Sequence, residues 1–571
     1  MKNIAYIKRS LIFCFILLFN LSFIFTQEAL KSVEEEYYDF LSLQGLVERP
    51  TLGYRTLSDN VWEITEDTEH IWQQNNLGST KVIWEASTPA ENWFTNGIFQ
   101  GLKYKIFGPE WYNSYNTAAP YGQNDGALWQ GRGYNTSLTG GIRLEGYGFE
   151  VTFKPQVSFS QNLAFDLMNN STYYTNKFAY FWGYGNDRGV DAPQRFGDSA
   201  FWNYDWGDTE LRWSWKTVTF GLGTETIWLG PTWLNPLLHS NNAASYPKID
   251  IGIRKTKIII PYFDLYLGEI ESRIWVGKLS ESEYFDKDDK NNNNQITGLS
   301  IYYSPPILEG LVFGINKICL SKWDDEKFYQ YLNPFYGMKG SYHQNEAEDQ
   351  KISITVDYLI PEGGVDIFME LGIDDHINAT ETIDSYITHY WHTFTYSFGL
   401  KKDIDFNEKL KGEILFEWNN TEMSQDFQMH WPYNFGFHHV ISQGYTNKGQ
   451  WIGSGIGYGG QSQYLGFKFY YEKGSSLIFI HRYNPDNNFL FKEAIYYTAG
   501  GETGTLHEKT WNYYKGILAF GINSNYFITD TFDINGGIIY QRIVNPIYNQ
   551  AKSKYKVWHN VSFNLGLKIN F

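Results

Sequence analysis

Apolar and polar residues alternate with a period of two along much of this chain, most clearly between Val557 and Phe571. There Val, Phe, Leu and Ile recur at every second position, and Asn, Ser, Gly and Lys fill most positions between them. Such alternation places successive side chains on opposite faces of a β-strand. A register shift of one residue would exchange the two faces and move Lys568 to the apolar side.

The same alternation recurs in segments 150–159, 352–358, 393–400, 411–418, 464–471 and 532–540. The second of these is followed by Pro-Glu-Gly-Gly at 361–364 and then by another alternating run, which indicates a hairpin with a tight turn. Polar stretches of very unequal length separate the segments, a pattern typical of barrels with short turns at one end and long loops at the other.

A β-structure that crosses lipid must pair every backbone N–H and C=O internally, so it must close into a barrel. The sequence therefore predicts an all-β chain that forms a transmembrane outer-membrane β-barrel. Allowing roughly 25 to 30 residues for each strand and its connection gives about 16 to 20 strands. A soluble β-sandwich or propeller is the alternative, because its strands also alternate, although no fixed repeat period is visible.

The two ends of the sequence favour export to the outer membrane. Lys2, Lys8 and Arg9 precede a mostly apolar run at 11–25, which is typical of a secretory signal peptide over residues 1–26, and a permanent anchor is the weaker alternative. We expect cleavage near Thr26, and cleavage after Ala29 is a second option. The aromatic Phe571 at the end of an amphipathic strand resembles the signal read by the barrel insertion machinery.

Composition excludes some partners and explains why hydropathy alone misses the membrane. The net charge is −17, and loss of three leader cations makes it near −20, so nucleic acid is not expected as a partner. The mean hydropathy of −0.41 would suit a soluble protein. However, the 21 Trp, 44 Tyr and 41 Phe are suited to aromatic girdles at two membrane interfaces.

Residues 27–75 differ from the rest, which leaves 76–571 for the barrel. Segment 28–44 contains helix formers and is followed by Gly45, and Pro50 prevents continuation of the helix. A second helix could start near Ser58. We predict a small, partly helical periplasmic element packed on or inside the barrel, with a surface helix that does not contact the barrel as the alternative.

Six tracts occur in one order along the chain. They are YGQNDGALWQGRG (121–133), PQRFGD (193–198), GPTWLNPLLHSNNAASYP (230–247), GKLSESEYF (277–285), PEGG through DDH (361–376) and QGYTNKGQ (443–450). With these tracts the sequence resembles the Wzi-like capsule-assembly family over nearly the whole mature chain. The resemblance implies a barrel of about eighteen antiparallel strands with helical elements at the periplasmic end. It also implies a lectin-like, non-enzymatic function in attaching surface polysaccharide.

Sugar binding requires aromatic faces for the C–H side of the rings and fixed polar groups for the hydroxyls. Two stretches offer both, and the candidates for polysaccharide binding are Trp111, Tyr112, Trp431, Tyr433, His438 and His439. The alternative for each aromatic residue is a place in the interfacial girdle or in loop packing. The partners expected are capsule, exopolysaccharide or lipopolysaccharide, together with outer-membrane lipid.

Charged residues cannot lie cheaply in lipid, so on a barrel they should face the lumen or lie in loops, paired with one another. The candidates for such a polar network are Asp125, Arg132, Arg195, Asp198 and Glu225, and a structural network and a ligand path are the two interpretations. The tract 286–294 superficially resembles a calcium loop but lacks its glycine and final glutamate, so neither a metal nor a cofactor is expected. A general diffusion porin is the alternative function, and a barrel hydrolase is a third hypothesis.

Overall fold

The computed structural model describes residues 24–27, 31–64, 68–75, 82–168, 176–181, 190–286, 292–323, 348–374, 384, 387, 394–422, 434–438, 441–488, 514–548 and 556–571. Residues 1–23 of the predicted leader lie outside the described residues, and the leader stays a prediction.

The described residues form one α-helix, two short 3-10 helices and a series of β-strands. The helices are α1 (Val33–Leu43) and the 3-10 turns Thr95–Gly97 and Pro361–Gly363. The strands are β1 (Ile24–Gln27), β2 (Tyr54–Arg55), β3 (Val61–Ile64), β4 (Val82–Ser87), β5 (Gly101–Asn116), β6 (Gly133–Gly146), β7 (Phe149–Phe153), β8 (Gln156–Ser160), β9 (Phe201–Asp205), β10 (Glu210–Trp215), β11 (Val218–Gly223), β12 (Trp228–Leu229), β13 (Lys248–Ile260), β14 (Leu265–Ser280), β15 (Asn293–Ser304), β16 (Leu311–Lys322), β17 (Glu348–Ile360), β18 (Val365–Asp374), β19 (Phe394–Asn407), β20 (Leu410–Asn420), β21 (Thr446–Asn447), β22 (Gln450–Trp451), β23 (Gln461–Tyr471), β24 (Gly474–Asn484), β25 (Gly516–Phe527), β26 (Phe532–Val544) and β27 (Val557–Ile569).

The large sheet closes on itself. β7 with β8, and β9 with β10, each form one interrupted barrel strand, and with β5, β6, β11, β13–β20 and β23–β27 they make an antiparallel barrel of eighteen strands. β27 pairs with β5 from Ser562 opposite Asn116 to Lys568 opposite Glu110. The predicted closed barrel is confirmed, and the sandwich or propeller alternative is wrong, because a closed sheet has no free edge.

The predicted alternation is confirmed by the two faces of the wall. On β27, Phe563 and Leu565 are 45% and 46% exposed, whereas Asn560 and Ser562 are buried on the inner side. The outer face carries an apolar band, which includes Leu138, Ile142, Leu144, Val151, Phe153, Leu211, Phe220, Leu222, Ile249, Ile251, Ile315, Ile354, Ile367, Leu465, Ile478, Phe520, Ile522 and Ile538. An apolar outside and a polar inside are what a barrel in lipid requires.

No helix among the described residues is both long and apolar enough to cross a membrane.

The connections between strands are short at one end of the barrel and long at the other. Two-residue turns at 147–148 and 472–473 and the Pro361–Gly363 turn, which ends at Gly364 with φ 56°, lie at one end. Connections 117–132, 161–200 and 421–460 lie at the other. The prediction of short turns opposite long loops is confirmed, and by the usual orientation the short-turn end is periplasmic.

Helix α1 begins and ends where its capping groups are. The Ser32 hydroxyl accepts a hydrogen bond from the Glu35 N–H at 3.1 Å, and Gly45 follows the helix with φ 71°. The predicted helix is therefore present in shorter form. A second helix near Ser58 is wrong: residues 57–59 form a turn, and the strand β3 follows at Val61–Ile64.

Aromatic packing places α1 in the short-turn mouth of the barrel. The Tyr37 ring stacks on Trp72 with centroids 4.0 Å apart, and Phe40 stacks on Tyr470 of β23 at 4.4 Å. Phe527 of β25 packs edge-on against Trp72 at 4.8 Å. The helix is thus anchored to the wall, which excludes the alternative of a surface helix without barrel contact.

Ion pairs between α1 and lumen-facing lysines supplement this packing. Lys468 binds Glu36 at 2.5 Å, Lys568 binds Glu34 at 2.7 Å, and Lys401 binds Asp39 at 2.6 Å. Burial by itself raises the pKa of Asp39, but the charges of Arg49 and Lys401 outweigh it and hold that pKa well below its usual range. The helix is therefore held to the wall by charges that depend on one another.

Three segments fill the lumen: 31–64 from the short-turn end, and 224–247 and 434–460 from the long-loop end. The first two meet inside the barrel, where β2 pairs with β12 through Tyr54 opposite Leu229 and Arg55 opposite Trp228. Gly53 is required at this junction because a Cβ there would lie 2.2 Å from the ring of Tyr302 on the wall. The lumen is therefore plugged by the chain itself.

Carboxylates on the wall hold the irregular backbone of the plug. One oxygen of Glu271 accepts hydrogen bonds from the N–H groups of Leu52, Gly53 and Tyr54 at 2.8, 2.9 and 3.1 Å. Burying these three N–H groups without an acceptor would be costly. The long-loop segment is held in the same way, with Trp233, Leu234 and Asn235 donating to Glu417 and Leu237 donating to Glu370.

Replacing Glu271 by Leu should destabilise the plugged barrel by about 3 kcal/mol or more, because three buried N–H groups lose their acceptor. Glu271→Gln, which keeps one acceptor oxygen of the same shape, should lose much less. Urea unfolding of the detergent-solubilised barrel, followed by tryptophan fluorescence, measures both. Equal midpoints for the two variants would contradict this account of the plug.

Candidate functional site

A cavity of about 310 Å³ opens at the long-loop end of the barrel. Its walls come from connections 117–132, 161–200 and 434–460 and from the ends of the strands that follow them. Its lining includes Tyr121, Gln123, Asp125, Trp129, Gln130, Asp166, Tyr180, Phe181, Gln194, Asn242, Gln450, Trp451, Lys515, Tyr548 and Trp558. This volume lies at the lower end of the range of ligand pockets, roughly 300–1,000 Å³.

The floor of the cavity, segment 119–131, is fixed to the barrel by two asparagines. The Asn116 side-chain amide donates to the carbonyls of Tyr121, Gln130 and Gly131 at 3.2, 3.0 and 3.1 Å. The Asn560 side-chain oxygen accepts from the N–H groups of 118 and 119 at 2.7 and 3.2 Å. Both asparagines face inward because of the alternation on β5 and β27, so the wall determines the position of the floor.

Aromatic rings form one side of the cavity. Tyr180 stacks on Phe181 with centroids 4.4 Å apart, and Phe181 contacts Tyr548 at 5.0 Å. The Tyr180 hydroxyl donates to Asp486 at 2.7 Å, and the Tyr548 hydroxyl donates to the carbonyl of the same residue. Both rings are therefore fixed at their polar ends and are buried, and the partly exposed ring of Phe181 beside them is the face suited to the C–H side of a sugar.

Amide side chains supply polar groups in fixed positions. The Gln194 amide nitrogen donates to the carbonyls of Met168 and Ala179 at 3.0 and 3.1 Å, and its oxygen accepts from the Met168 N–H. The Asn242 amide donates to the carbonyl of Trp451 at 2.9 Å. The Trp129 indole N–H is buried and has no acceptor among the described residues, and the Trp129 side chain forms part of the cavity lining.

A second cavity of about 340 Å³ lies inside the lumen, beneath the floor. Tyr121, Gln123, Asp125 and Gln130 line both spaces, so segment 121–130 is a partition between them. On the short-turn side, Lys31 and Glu36 of the plug line the second cavity.

Asp125 lies in this partition, where water has limited access. Burial raises the pKa of its carboxyl to about 7, although hydrogen bonds from Gln130 and from the Gln123 backbone lower it in part. The protonated carboxyl can therefore donate a hydrogen bond at mildly acidic pH. Above neutral pH the carboxylate accepts the hydrogen bonds from Gln130 and from the Gln123 backbone.

The structure separates the aromatic candidates predicted from sequence. Tyr112 faces inward and lines the second cavity, with its hydroxyl donating to Gln130 at 3.3 Å. Trp111, the preceding residue, is 47% exposed on the outer face, away from both cavities. His438 is buried and accepts the Ile441 N–H at 3.2 Å. Trp431, Tyr433 and His439 lie outside the described residues.

The charged candidates occupy three places. Arg195 pairs with Asp198 at 3.2 Å in the 161–200 connection. Glu225 lies deep in the lumen and accepts from the Ser58 N–H and hydroxyl. Asp125 and Arg132 make no ion pair within the described part of the chain, and Arg132 donates instead to the carbonyls of Thr117 and Ala164. The five do not form one network among these residues.

Several lining residues were not among the candidates chosen from sequence. Tyr121, Trp129 and Gln450 lie within the tracts that carry the family resemblance, so that signal could have identified them. Tyr180 and Tyr548 are in no such tract and are 368 positions apart in numbering, so spacing along the chain carries no signal for them. Within the described residues, no group of three or more His, Cys, Asp or Glu could hold a metal ion.

Comparison with known proteins gives a family and a fold. The family model described as capsule assembly protein Wzi matches residues 203–556, well over half of the chain. No curated protein matches the chain in sequence.

Among solved structures, the chain is similar to Escherichia coli Wzi, described as an outer membrane protein involved in group 1 capsule assembly and as a carbohydrate binding β-barrel. The TM-score is 0.57 at 10% identity, over 96% of this chain and 100% of that one. Acinetobacter baumannii OccAB1 matches with a TM-score of 0.38 at 8% identity, over 85% and 99% of the two chains. The first likeness shows the fold alone, and the second carries no argument.

Replacing Asp125 by Asn should remove one pH dependence of stability. Because the pKa of the folded carboxyl is raised to about 7, its contribution to stability is complete below about pH 4 and is lost as the pH rises through 7. The stability of D125N relative to wild type should therefore increase over that window, by roughly 2 to 4 kcal/mol. Urea midpoints of both proteins across pH 4 to 8 measure the difference, and parallel profiles would contradict the burial of this carboxyl.

Proposed function

The chain belongs to the family of capsule assembly protein Wzi, and from this premise we propose that it binds surface polysaccharide in the cavity at its long-loop end. It is an outer-membrane barrel, and with the short turns in the periplasm this cavity opens to the cell exterior. The observation that carries the proposal is the cavity itself. Fixed aromatic faces and fixed amides line one space on the side of the membrane where capsular or other cell-surface glycan is found.

We propose binding without catalysis. Support comes from the similar Escherichia coli barrel, which is described as carbohydrate binding. The described lining of the cavity contains no serine, cysteine or histidine, so it offers no serine or cysteine nucleophile with a histidine base. The ligand is capsule, exopolysaccharide or lipopolysaccharide. Outer-membrane lipid surrounds the apolar band, and the barrel insertion machinery is the partner during assembly.

A diffusion porin is less well supported, although the barrel is wide enough for one. Segments from both ends meet in the lumen at the β2–β12 pairing, and wall carboxylates hold them there. An open porin has a water-filled channel instead.

Replacing Trp129 by Leu should weaken binding of surface polysaccharide about tenfold or more, because the aromatic ring that Trp129 contributes to the cavity lining is lost. Purified barrel in detergent, titrated with polysaccharide extracted from the same cells, gives the affinity by calorimetry.

Trp111→Leu is the matched control. Trp111 lies on β5, the strand that leads into the connection containing Trp129, but its side chain faces outward. The affinity of this variant should equal that of wild type. If both variants bind as wild type does, the cavity is not the binding site.

Planar-bilayer recordings test the plug. Wild-type barrels should pass little current compared with an open porin of similar strand number, because the two segments that meet at β2 and β12 block the path. Large, steady openings in the wild type would favour the porin alternative.

A further inference from the structure

In the described lining of the cavity at the long-loop end, Lys515 is a cation that forms no ion pair. The Lys515 Nζ faces the cavity and makes neither an ion pair nor a hydrogen bond with the described residues. The charged groups in the described lining are Asp125, Asp166 and Lys515. Asp166 is already neutralised by Lys556 at 2.6 Å. The chain as a whole has a net charge of −17, so the positive charge of Lys515 in this partly closed space is opposite in sign to that of the chain.

Lys515 lies beside the aromatic side of the cavity. Its Nζ lies 5.7 Å from the centroid of Tyr548, the ring that continues the stack of Tyr180 and Phe181. Tyr548 is fixed at its hydroxyl by Asp486 and at its backbone N–H by the carbonyl of Asn545 at 3.0 Å.

Burial lowers the pKa of Lys515 to about 8, so the group is still mostly charged near neutral pH. A charge with limited access to water and no partner is costly, and a bound anion would offset that cost. A neutral sugar would leave the charge of the ammonium group uncompensated. The cavity is thus more complementary to an acidic saccharide than to a neutral one.

We propose that the cavity takes a sugar residue bearing an anionic group, above all the carboxylate of a uronic acid, with its anion at the Nζ of Lys515. This inference rests on the proposed function and names the class of polysaccharide that the site selects. Lys515 is then the residue that determines specificity for acidic over neutral glycan.

The test compares two probes that differ only in charge. One is an oligosaccharide of alternating hexose and hexuronic acid, and the other is the same oligosaccharide after reduction of its carboxylates to alcohols. Calorimetry with the full-length barrel in detergent should show about tenfold or tighter binding of the acidic probe by wild type. An O-sulfated form of the reduced probe distinguishes a sulfate from a carboxylate as the anion recognised.

Lys515→Gln should bring the ratio of the two affinities close to one by weakening only the acidic probe, and Lys515→Arg should keep most of the preference. Lys177→Gln is the control, because Lys177 also lies in the long connections but is 65% exposed and pairs with Asp198 outside the cavity lining. Its ratio should match wild type. Since Lys515 makes no ion pair or side-chain hydrogen bond with the described residues, all three variants should show the heat-modified gel shift of a folded barrel.

An unchanged ratio in Lys515→Gln overturns the inference. So does equal binding of both probes by wild type, which leaves the proposed function standing. Binding of neither probe overturns both.

Discussion

Hydrogen bonding of irregular backbone inside the lumen is the requirement on which the rest of this structure depends. The strands satisfy one another around a closed sheet, but most residues of the plug segments lie outside strands and have little water around them. Inward carboxylates meet that need: Glu271 serves three consecutive N–H groups, and Glu417 serves another three. The backbone of the plug is therefore held by the wall, in addition to the contacts that its side chains make.

Charged residues in the wall extend this arrangement into a chain of ion pairs. Arg212 binds Asp250, which also binds Arg273, and Arg273 binds Asp59 of the N-terminal segment. Each charge is buried, so removal of one partner would leave another uncompensated. The N-terminal segment is thus part of the lumen's electrostatics, and the barrel wall and the plug form one cooperative unit.

The candidate site has its form because of that unit. The floor at 119–131 is fixed by Asn116 and Asn560 on the wall, and the 234–242 segment contacts it through the Asn124 N–H, which donates to Asn242 at 3.0 Å. A ligand arriving from outside meets aromatic rings and amides already held in place. Little ordering of the cavity is then needed on binding, which favours affinity for a flexible polymer.

The sequence by itself determined the closed barrel, its two faces and the inequality of its two ends. Two-residue alternation has one solution in lipid, so segments such as 352–358 and 557–571 could be assigned without a structure. It also indicated a helix before Gly45, though not the strand at 61–64.

Only the tertiary structure decided what fills the lumen and which side chains share the cavity. Trp111 and Tyr112 are neighbours in the chain, yet one faces lipid and the other the lumen, and only the register of β5 assigns them. Trp129, Tyr180, Lys515 and Tyr548 come together because the barrel closes, bringing the first and last strands side by side. Linear spacing holds no record of that closure, because strand order around the wall sets distance in space.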